Sequence, residues 1–108
     1  MSDIVLVLTT VGAGSDLGQR LAQQLIDERL ASCVNLFPPM VSVYRWKGQI
    51  ERDTEQQIVI KTTRDRLDAL EARIKELHPY ELPEFVVVST DGGSQAYLDW
   101  VRAGTSAH

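Results

Sequence analysis

Few side chains in this sequence carry chemistry beyond ordinary surface charge. His78 stands directly before Pro79, Cys33 is the sole thiol, and Glu81 and Glu84 flank Leu82-Pro83. A histidine closing a helix can cap the last carbonyls and sit well at the negative end of the helix dipole. The same imidazole can also ligate a metal or carry a proton. A single imidazole holds metal weakly, so it needs further donors, and Glu81 and Glu84 are the nearest carboxylates after it. Copper(II) is the strongest divalent binder at almost any such site, so copper uptake alone does not demonstrate purpose. Cys33 reads either as a small buried hydrophobe or as a thiolate ligand or nucleophile. The second role requires a cation such as Lys61 or His78 close by to lower its pKa. Glu81 and Glu84 read as solvated or interface carboxylates, because a glycosidase pair needs a sugar-binding cleft that nothing here signals. Arg45 and Trp46 suit a cation–π pair or an interface anchor. Tyr97 and Trp100 suit core or subunit packing.

Sharper signatures are missing. There is no CxxC of a two-thiol metallochaperone, no P-loop and no Rossmann glycine fingerprint. The paired aromatic motifs of an RNA-recognition sheet are also lacking. A net charge of −4 at pH 7 repels nucleic acid and anionic membrane rather than attracting them, so neither is an expected partner. The N-terminal apolar stretch is too short to span a membrane and has Asp3 where a leader carries positive charge. With one cysteine no intramolecular disulfide can form, which suits a reducing compartment, and a cytoplasmic location is expected.

The elements that must position these groups follow from periodicity. At 108 residues the chain reads as a single domain, 1–108, with residues 103–108 a small, polar, frayed tail. Ile4 to Val11 is nearly continuously apolar, as a central strand should be. Ser15 or Asp16 is placed to cap a helix whose inner face is Leu17, Leu21 and Leu25 with Ala22 and Ile26. An extended segment from Ala31 to Phe37 is interrupted by Pro38-Pro39, which demands a sheet edge or a bulge. Val41 to Trp46 and Gln49 to Lys61 form a hairpin around Lys47-Gly48. Thr62 and Thr63 lead into a second helix with its stripe at Leu67, Leu70, Ile74 and Leu77. A short strand from Phe85 to Ser89 follows, then a last helix from Ser94 to Arg102 with Tyr97, Leu98 and Val101 inward. The predicted class is α+β: a ferredoxin-like βαββαβ unit with an antiparallel four-stranded sheet, a long hairpin joining its second and third strands, and an extra C-terminal helix.

That hairpin is too long for a lone copy of the chain. Its arms span about 30 Å at roughly 3.3 Å per residue, against a radius of gyration of about 13 Å for a compact chain of this size. Tyr44, Trp46 and Ile50 lie near its tip, and a bare two-stranded ribbon carrying such side chains is marginal in water. Pairing with further copies of the same chain, closed by symmetry, resolves this. Tyr44, Trp46 and Ile50 are therefore the expected interface residues.

Five segments, ASCVNL from Ala31, YRWKGQIERDTE, IVIKT, HPYELPE and YLDW, resemble in order and spacing the motifs of the CutA-type divalent-cation tolerance family. The resemblance covers essentially all of residues 3 to 103. It implies a ferredoxin-like subunit, a homotrimer built through the long hairpin, and tolerance to divalent cations, copper especially. No enzymatic activity and no organic cofactor are implied. Cys33, Lys61, Tyr80 and Glu84 match positions that line the cleft between subunits. Copper-binding members carry a first-strand cysteine and two adjacent histidines before the PY motif. The corresponding residues here are Thr9 and Leu77-His78, so His78 is the one family ligand retained, with Glu81 and Glu84 beside it for Cu(II) or another divalent cation. The family trimer also resembles that of nitrogen-regulatory signalling proteins, so a regulatory trimer binding a small anion or metabolite through Lys61, Arg45 and backbone amides is an alternative. A thiol enzyme using Cys33 is a third.

Overall fold

The computed structural model describes residues 2–106. Nine residues rich in Val, Leu and Thr, Ile4–Gly12, form β1 at the middle of the sheet. Strand β2 (Cys33–Leu36), β3 (Met40–Trp46) and β4 (Gln49–Thr63) follow helix α1 (Leu17–Asp27). A single 3₁₀ turn, Arg64–Arg66, leads into α2 (Leu67–Leu77), then β5 (Val86–Ser89) and α3 (Gln95–Gly104). The order across the sheet is β2-β4-β1-β5, with β3 continuing along the same edge of β4 as β2, and every pairing is antiparallel.

The ferredoxin-like arrangement holds, with one correction: the sheet has five strands rather than four. Pro38 and Pro39 lack the N–H a ladder needs, so the expected second strand divides. Its first part pairs Cys33 with Lys61, and its second pairs Met40 with Glu55. Strand β4 also runs on through Thr62 and Thr63, two residues past the expected end at Lys61. Thr62 donates its hydroxyl to the Leu30 carbonyl at 2.7 Å.

Helices α1 and α2 cover one face. Leu21, Leu25, Leu70 and Ile74 close over Val7, Val11, Ile58 and Ile60, all buried, while Ile26 turns partly outward. Asp16 precedes α1 without a side-chain cap, its carboxylate instead pairing with Arg20. The opposite face is covered only at one end, by α3, whose Val101 is fully buried. The tail is less frayed than its composition suggests. Ala103 and Gly104 complete α3, and Thr105 is buried with its hydroxyl 3.2 Å from that of Thr63. Residues 107 and 108 lie outside the described residues. Tyr97 is not inward as expected but 42% exposed, stacked on the half-exposed Trp100 with ring centroids 5.5 Å apart.

The hairpin projects as predicted. The molecule measures 44 × 26 × 24 Å, and residues 49–54 of β4 are exposed without interruption. Its two-residue turn places Lys47 at φ 50° and Gly48 at φ 80°, the left-handed pair that matches the twist of the flanking strands.

Candidate functional site

A tight turn at Lys47-Gly48 fixes which side chains share each face of the arm. Register sets Trp46 opposite Gln49, Tyr44 opposite Glu51, Ser42 opposite Asp53 and Met40 opposite Glu55, and directly opposed residues lie on one face. Val41, Val43, Arg45, Ile50 and Arg52 occupy the other. The three expected interface residues therefore divide: Tyr44 and Trp46 face one way and Ile50 the other. The same alternation separates Arg45 from Trp46, so the ring's cation is Lys47 instead, 5.5 Å from its centroid.

The Tyr44 face of the arm and the loop after α2 enclose a cleft of about 750 Å³. Tyr44, Trp46, Asp53 and Glu55 line it from the arm, and Tyr80, Glu81, Glu84 and Phe85 line it from the loop. The Tyr44 hydroxyl donates to Asp53, which pushes the phenol up to about 12. The Tyr80 hydroxyl donates to Glu55 at 2.8 Å. Burial first, and that bond second, raise its phenol further. Gln57 donates to Glu84 at 3.3 Å, and Lys47 meets Glu81 at 3.6 Å across the rim.

His78 sits behind this cleft and is buried. It ends α2 through its backbone N–H, bonded to the Ile74 carbonyl, but its ring does not cap the helix. The Tyr80 backbone N–H donates to Nδ1 at 3.1 Å, and Nε2 lies 2.6 Å from the Thr10 carbonyl. An accepting Nδ1 leaves the proton on Nε2, where it is donated to β1. The ring also packs edge-on against Tyr80, centroids 4.5 Å apart. His78 thereby sets the position of Tyr80, which in turn holds Glu55.

Cys33, Lys61, Tyr80 and Glu84 do not converge within one chain. Cys33 and Lys61 are partners across β2 and β4. Lys61 lies under α3, bonding the Tyr97 hydroxyl at 3.3 Å with its ammonium 5.6 Å from that ring. Tyr80 and Glu84 belong to the cleft, and Lys61 is six residues along β4 from Glu55, about 20 Å at roughly 3.4 Å per residue. Asp53 and Glu55 are the cleft-lining carboxylates that sequence reasoning missed. The alternation in ERDTE, counted back from the turn, was the signal that places them with Tyr44.

The donors of one chain do not fit a copper site. Both His78 nitrogens are engaged, and Thr9, at the first-strand position, is sealed under the helices with its hydroxyl unbonded. Glu81 pairs with Lys47. Among the described residues no group of three or more His, Cys, Asp or Glu side chains is placed to hold a metal ion.

Comparison with known proteins agrees with the motif reading. A family model described as CutA1 divalent ion tolerance protein matches residues 5–104. The divalent-cation tolerance protein CutA of Thermus thermophilus is 38% identical over 105 residues, 97% of this chain and 99% of its own. The solved CutA of Synechococcus elongatus superposes with a TM-score of 0.91 at 44% identity, covering 98% of this chain and 93% of that one. A solved protein from Nostoc, titled a PII-like protein CutA in apo form, does so with a TM-score of 0.88 at 37% identity over 96% and 99%.

Proposed function

The chain belongs to the CutA1 divalent ion tolerance family, and from that premise we propose a homotrimer acting in divalent-cation tolerance, copper included, without a catalytic step. Its clefts lie between copies and hold a small ligand or cation weakly. The observation that carries this reading is the arm, where Val41, Val43 and Ile50 are 68, 57 and 61% exposed on one ribbon face. Apolar surface of that kind in a long ribbon is stable once another copy covers it. The family resemblance supports three copies. The lone Cys33 supports a reducing, cytoplasmic setting.

A regulatory role is the second reading, favoured by the PII-like title of the Nostoc protein. The anion version of that role fits poorly, because four carboxylates line the cleft while Lys61 is engaged elsewhere and Arg45 points away. Sedimentation equilibrium at micromolar concentration tests the assembly: three copies are expected, and a stable single copy overturns it. Copper uptake by wild type and His78→Ala, measured by dialysis, tests the metal. Equal uptake is expected from the occupied imidazole, and a loss in the variant restores His78 as a ligand.

A further inference from the structure

We propose that the cleft between the arm and the 78–86 loop takes a small organic cation, an alkylammonium or guanidinium compound, rather than a metal ion or an anion. The inference rests on the reading above in taking this cleft, walled by one chain's arm and loop, as the part each copy contributes to the ligand site, and goes beyond it by naming the ligand's chemistry.

Glu55 carries the argument. It lines the cleft with only 6% of its surface exposed, so a guest that displaces the remaining water there must supply compensating charge. Its side-chain partner in the chain is the Tyr80 hydroxyl, bonded to Oε2, a neutral donor. Oε1 is not among the described atoms that are sealed from solvent without a partner, so it stays open to the cleft. The neighbouring acids repeat the pattern: Asp53 is met by the Tyr44 hydroxyl and Glu84 by the Gln57 amide. Three carboxylates thus face one cavity with no cation among their partners.

The walls fit the same guest. Tyr44, Trp46, Tyr80 and Phe85 supply aromatic surface, whose negative ring faces attract cations best where water is excluded. The arm already makes this kind of contact once. Lys47 places its ammonium 5.5 Å from the Trp46 ring and 3.6 Å from Glu81, pairing aromatic face and carboxylate at the rim. A bare metal ion suits the cleft less well, since no three of its acids are arranged as ligands. A volume of about 750 Å³ lies within the ordinary range of small-molecule sites, about 300–1,000 Å³.

The test is calorimetric titration of the full chain in its native assembly with choline, with agmatine, and with 3,3-dimethylbutan-1-ol, the uncharged isostere of choline. Choline or agmatine should bind saturably, with Kd at or below about 1 mM, and the alcohol at least tenfold more weakly. Glu55→Gln and the more accessible Glu84→Gln should each weaken cation binding at least tenfold, and the second keeps the test open if the first does not fold. Equal binding of the alcohol, unchanged affinity in Glu84→Gln, or no binding of either cation overturns the proposal. So does a structure of the assembly with Arg45 or Arg52 of a second copy filling the cleft. Light scattering on the same samples separates the two readings. A trimer that binds neither cation overturns this inference alone, and a single-copy species that binds one overturns the assembly alone.

Discussion

Strand β4 is continuous over fifteen residues, yet its two halves live in different surroundings. From Ile58 to Lys61 it lies between β1 and β2 and β1 alone flanks it to Thr63, with Ile58, Ile60 and Thr62 sealed beneath α1 and α2. From Gln49 to Thr54 it pairs chiefly with β3, and no residue is buried. Both halves alternate in the same way and both put isoleucine on one face. The difference is what covers that face. In the body the chain supplies two helices of its own; on the arm it supplies nothing for Val41, Val43 and Ile50. An isoleucine on the same face of one strand therefore belongs to a self-sufficient core in one place and to a surface awaiting another molecule in the other.

The largest effect expected from this contrast is in the body. Ile60→Ala empties a fully buried position and should cost about 2–5 kcal/mol in urea unfolding. Ile50→Ala, the same chemical change on the arm, should leave the stability of an unassembled subunit within about 0.5 kcal/mol of wild type. Equal losses in both would erase the distinction between the halves. Next in size is Gly104→Ala. A Cβ there would stand 2.3 Å from Ser32 Oγ and 2.9 Å from Ser32 Cβ, where the Ser32 hydroxyl donates to the Val101 carbonyl. Helix α3 must shift off the sheet, costing about 1–3 kcal/mol of overpacking, offset by at most about 1 kcal/mol of improved helix propensity. Thermal denaturation of Gly104→Ala alone and with Ser32→Gly checks this, since the pair should recover part of the loss.

The body was the more legible half for a physical reason. Periodicity marks a helix or strand whose cover is also in the chain, so Leu21, Leu25, Leu70 and Ile74 announced their face directly. Pro38-Pro39 announced an interruption, and only the count of strands changed. Long-range pairings carried no such signal. Tyr80 meets Glu55 across twenty-five residues of sequence, so Glu55 went unnoticed while Tyr80 and Glu84 were found through the PY motif. Tyr97 misled because helical spacing alone cannot tell a core face from an outer one.

On the arm the expected effect is smaller in the subunit and specific to assembly. Val43→Glu puts a charge on a residue 57% exposed in one chain and opposite Arg52 in register. The isolated subunit should tolerate it, again within about 0.5 kcal/mol. The dissociation constant of the assembly should rise at least tenfold, about 1.4 kcal/mol, as read by sedimentation velocity over a dilution series. An assembly that dilutes like wild type would show that this ribbon face stays in water, and the contrast between the halves of β4 would lose its functional meaning.

The smallest effect returns to the body and depends on pH. Arg73 of α2 grips Glu28 at the end of α1, with Nε 3.0 and 3.1 Å from the two carboxylate oxygens and Nη2 2.9 Å from one. This bond first, and that from Gln24 second, hold the Glu28 carboxyl below its ordinary 4.5. A carboxyl with a depressed folded-state pKa contributes stability that is complete above 4.5 and lost as pH falls through the lower folded value. Arg73→Met removes the grip, so the stability gap between wild type and variant should be constant near neutrality and narrow below pH 4.5. Both side chains keep about a third of their surface in water, so the gap should be modest and shrink in salt. Urea midpoints at pH 7, 5 and 3 decide it. A gap that persists at pH 3 would mean the arginine acts through the packing of its methylenes between the helices, and that the body relies on apolar cover at this seam as it does beneath Ile60.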